Sequence, residues 1–468
     1  MSLPVIDVVQ MRAWEAASWA AGRSETDVMR AAGEAVARRA ERMTRENDAI
    51  LILTGKGRNG KDAQLAGDAL RRRRGQCLLI ADPVAARPAL EKSLREHPAL
   101  IVDGLFGIGL NRALSPDWME LIEAINRSGC PILAIDVPSG LDAATGQVCG
   151  AAIRAATTLT MGTIKKGLLT AEAWPFVGRL ETAPDLGLIP CPHTSDAQWL
   201  TASDFSGFPP RREVAGHKGS FGHVLIIAGS LGYHGAAVLA ARAALRSRPG
   251  LVTLWTPPDA YLPVAAQLRA AMVHPWRADL EVPPSTTAIV AGPGLAAANV
   301  PADLRERVTT LWARSPLPML ADASALVWLT PTPGQASPHT RWLTPHPGEA
   351  ARLLRVAISE VQADRPRALR ELSARYGHSW VVLKGHQSLV GSSQGAYYVN
   401  STGNPYLAQG GSGDLLSGFL GGLLAQPGLQ EAGIARAICF GVWRHGHAAD
   451  QLQERGQSWT IDDLESAL

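Results

Sequence analysis

The amino-acid sequence predicts an α/β protein of two domains, each built on a parallel sheet, and three observations carry that prediction. The chain has 468 residues, more than one ordinary core needs and comfortable for two domains of roughly 200–250 residues. Short runs, apolar on both faces, alternate with helical segments, the pattern of strands covered by helices on both sides. The alternation fails over 184–216, where Pro, Gly and polar residues accumulate, and then resumes.

In order, a helical stretch over 11–45 precedes the runs AILILTGKG (49–57), CLLIAD (77–82), ALIVDGLF (99–106), PILAIDVP (131–138) and TTLTMG (157–162). Each has the length of a strand and carries Gly, Asp or Pro at or near its end. Helices are expected between them, over 62–74 and 116–128. The second series is HVLIIAGS, LVTLWTP, TAIVAGPG, PMLADAS, WLTP and WVVLKGH, closed by helices over 413–426 and 431–451. The two halves share an architecture but no repeated motif. Domains of 1–205 and 206–468 are expected.

Composition removes several function classes. Hydrophobic residues make up 46% and charged residues 19%, as in a folded globular chain. Lys and Arg number 45 against 42 Asp and Glu, a net +3, too even for a general nucleic-acid binder. The four arginines at 71–74 read as a solvated face ending a helix. There is no apolar run of about 18 residues to cross a membrane. The start MSLPVIDVVQMRAWE carries Asp7 and lacks the basic and apolar regions of a signal peptide. Five cysteines, at 77, 130, 149, 191 and 439, form no CxxC pair, which suits a reducing cytoplasm. A soluble, cytoplasmic, two-domain protein without nucleic-acid or membrane partners is expected.

In the first half the densest feature is GKGRNGKDA (55–63), between a strand and a helix. Glycines there let backbone N–H groups approach a phosphate at a helix start, although a tight strand-to-helix turn has the same signature. VDGLFGIGL (102–110) and DVPSGLDAATG (136–146) also leave the carboxyl ends of strands, which line the ligand crevice of an open α/β sheet. Asn59, Asp103, Asp136 and Ser139 offer hard oxygens for a cation; taken singly, each is as readily a helix cap.

Together with LTMGTIKKG, these segments resemble the NAD(P)H-hydrate epimerase domain over residues 1–200. The resemblance implies a Rossmann-like fold, a bound potassium ion, and interconversion of the R and S epimers of hydrated NAD(P)H. It places Asn59, Asp103 and Ser139 as potassium ligands, Asp136 as the acid/base residue, and Lys165 at the family's lysine. Substrate contacts fall on Arg58, Asn59, Gly60, Lys61, Asp62 and Asp136, and on the loop Gly107, Ile108, Gly109, Leu110, Asn111, Arg112 and Ala113. The family's first loop reads GxGNNGGDG, so Arg58, Lys61 and Ala63 are departures. If position 61 needs positive φ, Lys61 costs about 1 kcal/mol or more; Arg58 and Lys61 could instead contact a pyrophosphate. The expectation is an epimerase site present but altered.

The second half carries GNPYLAQGGSGDLLSGFLGGLLAQ (403–426), in which Gly410, Gly411 and Gly413 precede Asp414 at a helix start. Freed N–H groups and the helix dipole make an anion hole for a transferring phosphoryl group. An Asp beside that hole accepts a proton from an attacking hydroxyl. Lys384 leaves a strand where it could reach a nucleotide phosphate, and His346 sits between two prolines in a rigid loop.

HKGSFGHVLIIAG, AGPG, LTPHPGE, LKG and GNPYLAQGGSGD together resemble the nucleotide-dependent NAD(P)H-hydrate dehydratase of the ribokinase-like superfamily, over about residues 215–460. The resemblance implies a ribokinase-like domain using ADP and magnesium and releasing AMP and phosphate. It makes Asp414 the catalytic base and puts Ala237, Gly294, His346 and Asp414 in the substrate site. Lys384, Gly385, His386, Gln387, Ser388 and Gly413 would bind the nucleotide. DASAL at 322–326 replaces the family's DADAL, and Tyr233 and His234 replace smaller residues.

The expected whole is a bifunctional repair enzyme whose small-molecule substrates are the NADH and NADPH hydrates and ADP, assembled as a homo-oligomer. A ribokinase-superfamily small-molecule kinase with a non-catalytic first half is the alternative enzyme, and a binding scaffold the non-enzymatic one. A kinase would leave a stable phosphorylated product, and a scaffold would tolerate loss of Asp414.

Overall fold

A computed structural model of the protein describes residues 2–70, 74–456 and 458–468. The chain divides into two compact units, Leu3–Asp196 and Ala197–Leu468 with Ser2.

In the first unit, helices α1 (Val8–Ala20) and α2 (Glu25–Met43) occupy the expected single helical stretch. Gly22, in left-handed backbone at φ 81°, breaks it, and Ser24 restarts it by accepting from the Asp27 N–H at 3.2 Å. The strands are β1 (Ala49–Thr54), β2 (Arg74–Leu79), β3 (Leu100–Gly104), β4 (Ile132–Ile135), β5 (Thr157–Met161) and β6 (Arg179–Ala183). They form one parallel sheet in the order β2-β1-β3-β4-β5-β6. Helices α3 (Arg58–Ala69), α4 (Pro83–Arg95) and α5 (Pro116–Arg127) connect them. Alternation along β1 feeds both faces: Ile50 and Ile52 join a core with Val36 and Ala63, while Leu51 and Leu53 join one with Leu121 and Ile125. The order reverses between β1 and β3, which opens a crevice beyond their carboxyl ends. Of the arginines 71–74, three lie outside the described residues, and Arg74 opens β2 rather than closing a helix.

The second unit begins earlier than the expected 206, because β7 (Ala197–Trp199) pairs with a strand of that unit, Tyr397–Val399. Its remaining strands are β8 (His223–Ile227), β9 (Leu251–Thr256), β10 (Met272–Pro275), β11 (Ala288–Ala291), β12 (Met319–Ala321), β13 (Arg341–Leu343), β14 (Trp380–Leu383), β15 (Leu389–Gly391) and β16 (Tyr397–Val399). Within the unit the order is β7-β16-β15-β14-β13-β12-β11-β8-β9-β10. The sheet is parallel from β14 to β10, and the β14-β15-β16 pairings are antiparallel. A second order reversal falls at β8, between β9 and β11. Helices α6 (His234–Arg246), α7 (Pro347–Leu354), α8 (Arg365–Arg375), α9 (Ser412–Leu424) and α10 (Ile434–Glu454) frame the site described below. The glycines of α9 permit close packing: a Cβ on Gly418 would collide with the Ala240 carbonyl of α6, and one on Gly421 with Val290 of β11.

Candidate functional site

In each unit predicted residues lie beyond the carboxyl ends of the parallel strands. In the first, Asp103 ends β3 beside Leu53 of β1. Its carboxylate is fully buried and held by neutral donors: Ser139 Oγ at 2.6 Å, Ser139 N at 2.8 Å and Leu105 N at 3.2 Å. Burial pushes it up to about 6, against the pull of those hydrogen bonds. Asn59, in the first turn of α3, donates through Nδ2 to the Phe106 carbonyl at 2.7 Å and the Ile135 carbonyl at 3.1 Å. The three residues expected to hold potassium are thus brought together: Ser139 Oγ also accepts from Phe106 N at 2.8 Å.

Asp136 follows β4 in left-handed backbone, φ 63°. Its Oδ1 accepts from Lys165 Nζ at 2.6 Å, Thr160 Oγ1 at 3.0 Å and Met161 N at 3.0 Å. Lys165 is fully buried and also donates to Thr160 Oγ1 at 3.0 Å and the Met161 carbonyl at 2.6 Å. Asp136 opens onto a cleft of about 720 Å³ that is also lined by Arg58, Asn59, Asp62, Gly107, Ile108, Gly109, Leu110 and Arg112. Gly60, Lys61, Asn111 and Ala113 are absent from that lining; Lys61, Asn111 and Ala113 are exposed.

The altered glycine loop is less altered than its letters suggest. Lys61 lies in ordinary helical backbone within α3, so the expected left-handed strain is absent. The helix begins at Arg58, leaving only Gly55–Gly57 as loop. Close approach is demanded elsewhere: a Cβ on Gly55 would strike the Leu105 carbonyl, and one on Gly60 the Gly55 carbonyl. Ala63 is buried against Gly104. Arg58 bridges two carboxylates, Glu25 at 3.0 Å and Glu15 at 3.4 Å. Glu15 also lines the cleft, and burial raises its carboxyl above the usual range. Sequence reasoning passed over it because its partner is 43 positions away.

In the second unit, Asp414 lies in the first turn of α9, after Gly411 at φ 97°. Burial pushes its carboxyl up to about 6, with Asp322 and Glu349 adding to the effect and Lys384 opposing it. Lys384, just past β14, donates to Asp322 Oδ1 at 2.8 Å and lies 3.9 Å from Glu349 Oε2. Burial works against the ammonium, yet Asp322 and Glu349 outweigh it and hold the group above the usual lysine range. A Cβ on Gly413 would sit 3.5 Å from Lys384 Nζ, so the lysine faces the start of α9. Asp322, at the end of β12, is buried and accepts from Ser417 Oγ of α9 at 2.5 Å.

Asp322, Glu349 and Ser417 were not among the predicted site residues. Asp322 offered a signal, since it heads the DASAL segment at the end of a strand, and Glu349 follows His346 within one helical turn. Arg365 was missed as well. It is buried in α8, and its guanidinium donates to the carbonyls of Leu383 at 3.0 Å, Lys384 at 3.1 Å and His386, fixing the predicted nucleotide segment. Burial and that arginine press His386 down to about 4. In the same segment, Gln387 has φ 50°, and Ser388 Oγ donates to the Gly385 carbonyl at 3.1 Å.

Two predicted substrate residues are placed differently. Ala237 is fully buried, its methyl in the space that a side chain on Gly229 would need. His346 caps α7: its Nδ1 accepts from Gly348 N at 3.0 Å and Glu349 N at 3.3 Å. The ring is exposed, with Nε2 3.7 Å from Glu349 Oε1. Gly294 adopts φ 66°, where a Cβ would crowd the Tyr233 carbonyl at 2.6 Å; its own carbonyl accepts from Ser230 Oγ at 2.6 Å.

Comparison with known proteins agrees with this division. A family model described as NAD(P)H-hydrate dehydratase matches residues 224–468. One described as YjeF-related protein N-terminus matches 25–89 and 81–167. A bifunctional NAD(P)H-hydrate repair enzyme of Coxiella burnetii is 36% identical over 481 residues, covering 96% of this chain and 94% of that protein. The Escherichia coli protein of the same description is 33% identical over 428 residues, covering 86% and 81%. A ribokinase-like superfamily protein from Enterococcus faecalis superposes with a TM-score of 0.50 at 24% identity, over 59% of this chain and 95% of that one. This last likeness concerns the fold.

Proposed function

The chain belongs to the family of bifunctional NAD(P)H-hydrate repair enzymes, and from that premise we propose how its two sites divide the work. The first unit interconverts the R and S hydrates, and the second dehydrates the S form at the expense of ADP, releasing AMP and phosphate. The observation that carries this reading is Asp414 at a glycine-preceded helix start, with Lys384 facing the same amides.

In the second unit the hydrate hydroxyl attacks the terminal phosphoryl group of the nucleotide as Asp414 takes its proton. A base held near 6 is ionised at neutral pH yet still accepts a proton readily. The first amides of α9 and the Lys384 ammonium stabilise the phosphoryl oxygens. Phosphorylation turns hydroxide, a poor leaving group, into phosphate. The ring nitrogen lone pair then expels the phosphate, the ring loses a proton, and the conjugated dihydropyridine is restored. Magnesium, when bound with the nucleotide, neutralises phosphate charge; Glu349 and Asp414 supply the oxygen chemistry to meet it through water. Arg365 acts indirectly, by holding the carbonyls of the Lys384–His386 segment.

In the first unit, Asp136 exchanges protons with the hydrate, and Lys165 orients its carboxylate. Potassium fits the chemistry of Asn59, Asp103 and Ser139: a buried carboxylate held by neutral donors, beside an amide and the Phe106 and Ile135 carbonyls, is a hard-oxygen set for a monovalent cation. Such an ion would brace the loop that carries Gly107 and its neighbours. The test is racemic hydrate with ADP and magnesium, with and without potassium, following phosphate and dihydropyridine absorbance. Both activities together convert all the hydrate faster than spontaneous epimerisation allows. Conversion that stalls at the S fraction refutes the first activity, and a stable phosphorylated product refutes the second.

A further inference from the structure

The carboxyl groups and cations that line the cleft of the first unit are unevenly paired. Asp136, Asp62 and Glu15 all line it, and Glu25 stands at its edge through Arg58. Arg12, Lys56, Arg58 and Arg112 also line the cleft, and the cations that pair with these carboxylates are Lys165 and Arg58. Lys165 is spent on Asp136, Thr160 and the Met161 carbonyl. Arg58 is spent on Glu25 and Glu15. Asp62, one helical turn beyond Asn59 on α3, receives neither: its Oδ1 is buried and, among the described residues, has no hydrogen-bond partner. An unpaired carboxylate in such a place is unfavourable, and a carboxylic acid is not.

We propose that Asp62 is the second catalytic residue of the epimerase, giving a proton to the ring nitrogen of the hydrate while Asp136 takes one from its hydroxyl. The inference rests on the epimerase reading of this unit. The hydrate is a carbinolamine, so one carbon bears both the hydroxyl and the ring nitrogen. As Asp136 removes the hydroxyl proton, the oxygen electrons form a carbonyl, and the carbon–nitrogen bond breaks with its pair moving to nitrogen. Nitrogen receives that pair and, with it, the Asp62 proton. Rotation about the bond beside the new carbonyl presents its other face. Reclosure runs both transfers backwards: nitrogen attacks the carbonyl and returns its proton to Asp62, while the oxygen recovers its proton from Asp136. Neither residue is consumed, and no external reductant or oxidant is required.

The two carboxyls suit opposite roles. Asp136 is held as the proton acceptor by three donors, a buried ammonium, a hydroxyl and an amide. Burial pushes Asp62 up to about 8, with the charges of Asp136 and Glu15 adding to the rise and Arg58 and Lys61 opposing it less strongly. It therefore carries a proton at neutral pH. A buried carboxyl without a partner beside one paired with an ammonium is an arrangement that makes the first an acid and the second a base.

The experiment uses the full chain without nucleotide, so that dehydration is silent, and follows conversion of R hydrate to S by chromatography. If the wild type fails to outpace buffer, the epimerase reading itself falls, whatever Asp62 does. Given wild-type turnover, Asp62→Asn should lower kcat about 100-fold or more with a much smaller change in KM. The wild-type rate should also fall above about pH 8, as Asp62 loses its proton, and the variant should lack that fall. Asp62→Glu, which keeps the acid on a longer arm, should recover at least part of kcat together with the alkaline fall. Dehydration of S hydrate by the second unit and the unfolding midpoint confirm that each variant is folded. A kcat within threefold of wild type in Asp62→Asn overturns the proposal. So does an alkaline fall that persists in that variant or vanishes in Asp62→Glu.

Discussion

The two sites are built around the same pair, a lysine on an aspartate, turned in opposite directions. In the first unit the Lys165 side chain is 0% exposed and Asp136 13%, so the carboxylate faces the cleft with the ammonium behind it. In the second unit the Asp322 side chain is 2% exposed and Lys384 16%, so the ammonium faces the site with the carboxylate behind it. In the proposed reading the buried partner orients the pair, and the outer partner meets the ligand. The inversion follows the chemistry proposed for each site. Proton exchange with a neutral carbinolamine needs an ionised oxygen at the surface of the cleft, whereas a phosphoryl group needs a cation there. The second site then takes its base from a different residue, Asp414, whose carboxyl the buried Asp322 helps to raise.

The comparison can be broken most directly at Asp414. Asp414→Ala should lower dehydratase kcat on the order of 10³-fold, measured by phosphate release. Epimerisation by the same sample should be unaffected, because Asp136 and Lys165 belong to the other unit. A smaller loss would move the base elsewhere.

Stability tests the inversion itself. Removing an outer partner strands a buried charge, while removing a buried partner leaves a charge that can turn to water. Asp136→Asn and Lys384→Met should therefore cost about 3–5 kcal/mol. Lys165→Met and Asp322→Asn should cost about 1–2 kcal/mol. Denaturant unfolding of the four variants gives the order, and the reverse order in either unit would refute the description above.

The pH dependence sharpens the comparison. Asp414 must be ionised to act as a base, so dehydratase kcat/KM should fall as pH drops through about 6 and decline roughly tenfold per unit below it. Asp322→Asn removes a negative neighbour, which lowers the Asp414 pKa and moves this limb to lower pH. Lys384→Met removes a positive neighbour and moves it upward. The smallest effect is expected at Lys61. Because it sits in helical backbone, Lys61→Gly should lower stability by about 1 kcal/mol, whereas relief of strain would raise it.

Much of this was legible in the letters. Parallel sheets follow from strands that are apolar on both faces, and the site loops from their position at strand ends. GKGRNGKDA, DVPSGLDAATG and GGSGD each mark a turn whose glycines or acids are uncommon in a plain connection. Asp322 and Glu349 went unread because a strand-end aspartate and a capping-box glutamate are common in any α/β protein. Arg365 lies 21 positions from His386, one of the carbonyls it holds. The strain expected at Lys61 arose from treating 55–63 as one loop. The helix starts inside that segment, and helix boundaries are the least certain part of a sequence reading.

The sequence by itself therefore determined the two α/β halves, the family, and which loops carry the chemistry, since periodicity and glycine placement are local properties. Only the tertiary structure decided which charge in each lysine–aspartate pair is buried and which carboxyl lacks a partner. It also decided that Lys61, a departure from the family motif, sits in helical backbone. Those outcomes depend on desolvation and on contacts between residues tens of positions apart, and linear order does not encode them.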